Sequence, residues 1–225
     1  MPLWNSFLIA FTALLPLINP LGSAFVFVGL VGEAPPSVFR SLARRIAINN
    51  VIFLAVIELL GSTILNFFGI SLPIVQLSGG MVIAVMGWNV LNERSAGASS
   101  RNKEEETGSR SEIDERSFYE RTFYPYTFPI TSGPGTLVAL LTVTAHISGQ
   151  NLTQSILGHV GVLLAVIALS ALVFVCYAYA PKITKSIPAS TAHGILRVVA
   201  FILLCIGIQI AWNGLSMLLA TVIRR

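Results

Sequence analysis

Apolar residues fall into six long runs, at about 3–31, 46–69, 72–91, 123–147, 155–180 and 195–221. Each is close to or above the roughly 20 residues that a helix needs to cross a bilayer core. The pattern predicts six membrane helices. The first and fourth runs are interrupted alike. One carries Pro16-Leu17-Ile18-Asn19-Pro20-Leu21-Gly22 and the other Pro129-Ile130-Thr131-Ser132-Gly133-Pro134-Gly135, each a proline followed six residues later by a glycine. Proline removes a backbone donor and crowds the preceding turn, and glycine accepts dihedrals that other residues avoid. In hydrocarbon the freed backbone groups must be satisfied by protein or water. Helices 1 and 4 are therefore expected to be broken near mid-membrane.

Between the third and fourth runs lies a segment of different character. Residues 92–122 contain six basic and eight acidic side chains and few apolar ones, too little to build a core, so they read as a flexible charged linker. The organisation predicted is a three-helix repeat over 1–91, the linker, and a second three-helix repeat over 123–225. Halves of three helices insert in opposite senses, so similarity between them implies a 3+3 inverted repeat. Pro16 and Gly22 match Pro129 and Gly135 at a spacing of 113 residues. Gly80, Gly87 and Asn89 match Ala200, Gly207 and Gln209 at a spacing of 120, the change being taken up around the fifth helix.

Composition agrees with an all-α membrane protein. Hydrophobic residues make up 54% of the 225, charged residues 11%, and mean hydropathy is +0.78. The net charge of +4 forms no basic, aromatic-bearing face, so nucleic acid is not an expected partner. Twelve of the fourteen basic residues lie on one side of the six spans: Arg40, Arg44, Arg45, six in the linker, Lys182, Lys185 and Arg197. That asymmetry predicts a cytoplasmic linker and both termini outside. The N-terminal run has no basic leader and reads as a retained first helix.

The two breaks are the candidate site. Half-helices beginning near Leu21 and Thr136 would turn N–H groups and partial positive charge inward, and the half-helices before them would offer carbonyls. Such a site suits a small zwitterion. Asn19, Pro20, Gly22, Thr131, Ser132, Gly133, Pro134 and Gly135 are the residues expected to bind it. The competing reading is ordinary kinking, since Gly and Pro are common in membrane helices and small residues also serve packing.

Glu58 is the lone acid within an apolar run. A buried carboxylate is costly when ionised, so it reads either as a carrier of a coupling proton or as a structural group facing Asn49, Asn89 or Gln209. Asn89 and Gln209 are candidates for secondary polar lining. Arg197 reads as a snorkelling side chain, and Trp4, Trp88 and Trp212 as interfacial anchors. His146, His159 and His193 have no ligand spacing to one another or to a Cys or acid, so no metal is expected. Cys176 and Cys205 lie in apolar runs and read as buried hydrophobes. No cofactor is expected, and the absence of Walker-type motifs argues against direct use of ATP.

Leu15-Pro16-Leu17-Ile18-Asn19-Pro20 and Pro129-Ile130-Thr131-Ser132-Gly133-Pro134-Gly135-Thr136 resemble the signature segments of the MarC family of bacterial inner-membrane proteins. Phe68-Gly69-Ile70-Ser71 with Gly79-Gly80, and Arg197, Gly207, Gln209 and Gly214, are similar to its third- and sixth-helix patterns. The resemblance covers nearly the whole chain apart from the linker. It implies a six-helix, transporter-like protein of the inner membrane, some members being regarded as carriers of glycine and alanine. Its motifs fall on Asn19, Pro20, Thr131, Ser132, Gly133, Pro134 and Gly135, whereas Glu58 belongs to none of them.

Together these readings predict a non-enzymatic secondary transporter of a small neutral amino acid, working by alternating access with H+ or Na+ as the coupling ion. The rivals are a passive pore, suggested by Asn19-Pro20, an intramembrane hydrolase using Ser132, and an accessory membrane protein without flux. The hydrolase lacks a Gly-x-Ser-Gly setting for its nucleophile.

Overall fold

A computed structural model of the protein describes residues 2–32, 34–92, 122–147 and 151–223. Its elements are helices: α1 (Pro2–Ile18), α2 (Pro20–Val31), α3 (Pro36–Phe67), α4 (Leu72–Asn92), α5 (Thr122–Thr131), α6 (Pro134–Ile147), α7 (Leu152–Ala178), α8 (Ala180–Ser186) and α9 (Ala189–Ile223). Five stretches are long and apolar enough to cross a membrane, with α1 and α2 together forming Leu3–Val31. The pair Thr122–Thr131 and Pro134–Ala145 meets at 67°, the geometry of a broken span or a re-entrant loop. The linker falls almost wholly outside the described residues.

Two helices start earlier than hydropathy predicts. α3 begins at Pro36 rather than near 46, because Pro35 is extended and Pro36 occupies the first turn, where its missing N–H costs nothing. At 32 residues α3 is about 48 Å long, well beyond the hydrocarbon thickness. Arg40, Arg44 and Arg45 therefore sit on its exposed first turns and not in a loop. Likewise α9 starts at Ala189 although its apolar span begins at Gly194. The segment after α7 is the short helix α8, with Lys182 and Lys185 exposed on it. Hydropathy marks what lies in lipid, whereas the helix continues into water.

α7 is the central element, packed against α1, α2 and α3, and half of its apolar window is buried. Leu14, Ile18, Phe27, Phe39, Leu42, Ile46, Leu54, Leu140, Leu169 and Tyr177 make the core. Phe27 stacks on Tyr177 at 4.5 Å between ring centroids and meets Phe39 and Tyr126 edge-on. α4 and α9 form a separate close pair. A Cβ on Gly87 would stand 2.7 Å from Leu204 N, and one on Gly214 2.5 Å from Pro73 O, so the two backbones touch. Close backbone approach is how membrane helices associate when lipid removes the hydrophobic drive. Between α3 and α4, Gly69 adopts a left-handed conformation, φ +67°, that turns the chain.

Candidate functional site

Asn19 separates α1 from α2 in a left-handed conformation, φ 43° and ψ 65°. Pro20 has no N–H to give, and the groups freed around it find partners within the chain. Asn19 Oδ1 accepts from Gly22 N at 3.1 Å, while Ser23 Oγ donates to Ile18 O at 2.7 Å. Ser23 N donates to Asn19 O at 2.9 Å. The expectation of open N–H groups at this break is thus corrected for Gly22 and Ser23: Asn19 caps its own half-helix. Gly22 is needed for this, since a Cβ there would overlap the Asn19 amide and crowd Leu196 of α9.

The second break is built by prolines. Tyr124 and Phe128, each preceding a proline, have extended dihedrals inside α5. Pro125 and Pro129 cannot donate, so the winding widens and Ser132 N reaches five residues back to Thr127 O at 2.9 Å. Hydroxyls fill the remaining gaps. Thr127 Oγ1 donates to Thr122 O, and Thr131 Oγ1 to Tyr126 O, both at 2.7 Å.

The structure brings the two breaks together through residues that the pattern of the chain did not single out. Tyr177 of α7 has its hydroxyl 2.9 Å from Thr131 Oγ1 of the second break, and its ring stacks on Phe27 of α2, which follows the first. Ser132 Oγ donates to Asn50 Oδ1 of α3 at 2.6 Å, and Asn50 Nδ2 donates to Ser170 Oγ of α7 at 3.0 Å. Asn50, Thr131, Ser132 and Ser170 are buried, and the dry setting makes every one of these bonds expensive to lose. Polarity inside an apolar run was the available signal for Asn50, Ser170 and Tyr177. Their partners were not legible.

A cavity of about 70 Å³ opens beside the second break, with space for a few waters or a solute of that size. Gly133, Gly135 and Thr136 line it together with Leu17 of α1, Ile83 of α4 and Leu203 of α9. Thr136 Oγ1 is buried without a hydrogen-bond partner. Thr136, with its unpartnered hydroxyl, is thus one of the residues that border a small recess. A second cavity, about 80 Å³ and bounded by Ser62, Asn66, Ile70 and Leu141, lies near the α3–α4 link and includes neither break.

Three further expectations meet different outcomes. Asn89 and Gln209 are exposed on α4 and α9, and Gln209 bonds to Asn213 at 3.0 Å, so neither lines the site. Glu58 faces none of Asn49, Asn89 and Gln209. Its Oε1 lies 2.5 Å from His159 Nδ1 of α7, an approach between residues 101 positions apart that the spacing of histidines did not suggest. Cys176 is buried as expected, but Cys205 is exposed. Among the described residues no group of His, Cys, Asp and Glu is arranged to hold a metal.

Fold and site together define a polytopic α-helical membrane protein with a small recess beside the bend between α5 and α6. The profile of the MarC family, described as integral membrane proteins, matches residues 4–219, and the chain belongs to that family. The inner membrane protein MarC of Salmonella typhimurium is 23% identical over 221 residues, covering 98% of this chain and 99% of the relative. Membrane protein YvbG of Bacillus subtilis is 26% identical over 207 residues, 92% of each chain. The MarC protein of Citrobacter koseri is 24% identical over 222 residues, covering 98% and 99%. No solved structure matches.

Proposed function

We propose that this protein is a secondary transporter of a small neutral or zwitterionic solute of the size of glycine or alanine. The observation that carries the reading is the recess at the second break, where Thr136 Oγ1 stands buried and unpartnered beside Gly133, Gly135 and Leu17. A hydroxyl, nearby backbone groups and glycine-sized space favour a compact polar solute over a net ion, which would lose its hydration shell for few formal charges in return. Asn19, Thr131 and Ser132 hold their own backbones and neighbours in this conformation, so solute binding would exchange some of those internal bonds for bonds to the ligand.

Alternating access by one repeat rocking on the other is supported by the α4–α9 contact. Gly80 abuts Gly207, and Gly87 abuts Ala200. At a spacing of 120 residues, Gly207 is the counterpart of Gly87 and Ala200 that of Gly80, so each contact is the mirror of the other about a two-fold axis. That is the packing an inverted repeat produces. In this reading α5 and α6 form one interrupted span, the linker is cytoplasmic and both termini are outside. The relatives' designation as inner membrane proteins supports placement in a bacterial inner membrane.

Flux of labelled glycine and alanine into proteoliposomes tests the proposal. Saturable uptake that weakens in Thr136→Val is expected. Flux linear in concentration would identify a pore instead, and no flux across a panel of small solutes would identify an accessory protein.

A further inference from the structure

We infer that Glu58 and His159 form a proton-binding site on the α3–α7 seam, and, resting on the transport reading above, that H+ is the ion coupled to it. Glu58 is the one acidic side chain among the described residues, and it is buried. Its Oε1 is 2.5 Å from His159 Nδ1, while Oε2 is buried with no hydrogen-bond partner. At that separation a proton must lie between the two atoms, since two bare acceptors would repel. A carboxylate supported from one side in an apolar wall is stable only while its partner balances the charge. The pair is therefore most stable with net charge zero.

The pair is open on one side only. The His159 side chain is 28% exposed, whereas that of Glu58 is closed off. Release breaks the imidazolium's other N–H bond, at Nε2, and passes that proton to water reaching the exposed edge, while the bridging proton stays on Nδ1. What remains is a neutral imidazole and an ionised carboxylate whose Oε2 has no donor. That state gains stability only if the seam opens enough to admit water or another donor. Proton loss and separation of α3 from α7 are thereby linked.

Among the described side chains, this pair stands alone with the charge. α1, packed on α7, has no titratable side chain, and the described side chains of α6 are apolar, threonine or glycine. On α5, Tyr124 is exposed and Tyr126 packs edge-on against Phe27. Arg45, the nearest arginine on α3, is thirteen residues away, about 20 Å along the axis. Lys182 and Lys185 lie beyond the far end of α7. Cys176 and Tyr177 are about 26 Å along α7 from His159.

The clasp is positioned to act on the recess. Eight residues before Glu58, about 12 Å along α3, Asn50 ties Ser170 of α7 to Ser132 of the second break. Three residues after it, Gly61 accommodates Leu141 of α6, five residues beyond Thr136. Opening the seam at Glu58 therefore acts on both elements that border the cavity.

The test uses full-length protein in which His146→Gln and His193→Gln leave His159 as the sole imidazole. Its titration is followed by NMR of labelled histidine in nanodiscs, with and without Glu58→Gln. Removing the carboxyl is expected to displace the curve, the mark of coupled groups. Superimposable curves would overturn the site. Should Glu58→Gln not fold, pH-difference infrared spectra of the single-histidine protein serve instead: carboxyl and imidazole bands changing together support the site, and independent changes overturn it. In proteoliposomes, glycine uptake driven by a pH gradient is expected to lose its response to that gradient in Glu58→Gln. A retained response would overturn the coupling role. Wild-type protein with no flux at all would remove the carrier reading, while the titration still decides the proton site.

Discussion

Gly80 of α4 and Gly207 of α9 lie backbone to backbone. A Cβ on Gly80 would stand 2.6 Å from Gly207 O, and one on Gly207 would stand 2.8 Å from Gly80 O. Neither contact can be relieved by turning a side chain, because the obstacle on both sides is main chain. Gly80→Val or Gly207→Val is expected to force the pair apart and to destabilise the protein by about 1–3 kcal/mol or more. Unfolding in mixed detergent micelles measures this, with Gly29→Ala as the control. A Cβ at Gly29 meets nothing within 4 Å.

Ser132→Ala removes the only donor that Asn50 Oδ1 is shown to receive. Because Asn50 is fully buried, its abandoned oxygen should cost about 1–3 kcal/mol. A change in the same unfolding assay no greater than that of an exposed Ser78→Ala would show that the Asn50 tie contributes little.

Asn19 does two jobs that a single substitution can separate. Glycine retains access to φ 43° but loses the cap on Gly22 N, whereas leucine loses both. Asn19→Leu should therefore be destabilised by about 1–2 kcal/mol more than Asn19→Gly. Equal stabilities would mean that the left-handed conformation at the break is not under strain in the variant.

Thr136→Val keeps the shape of the recess and deletes its unpartnered hydroxyl. If a solute binds there, KM for flux should rise by about fivefold to tenfold, the worth of one hydrogen bond, with stability unchanged or slightly higher. An unaltered KM would place the solute elsewhere.

Tyr177→Phe leaves the stack on Phe27 intact but removes the hydroxyl that meets Thr131 Oγ1. A loss of about 1–2 kcal/mol is expected, because a buried hydroxyl network is broken without a cavity being made. Thermal unfolding alongside the Ser132→Ala protein and the double variant would measure how strongly the two ties are coupled, since Thr131 and Ser132 are neighbours.

The membrane class and the apolar runs were legible from the chain because each depends on local chemistry. About 20 apolar residues suit a bilayer whatever surrounds them, and Pro20 and Pro129 withdraw backbone donors in any fold. Helix starts were less legible. Pro36 begins α3 ten residues before hydropathy rises, since a helix needs no lipid to continue.

Only the tertiary structure decided what the interruptions do with their freed groups and which distant side chains join them. Ser132 meets Asn50 across 82 residues, Glu58 meets His159 across 101, and Asn50 meets Ser170 across 120. Those encounters depend on how each helix is rotated about its axis and how antiparallel neighbours are set in register. Close packing of whole helices determines that rotation, and no single stretch of the chain contains it.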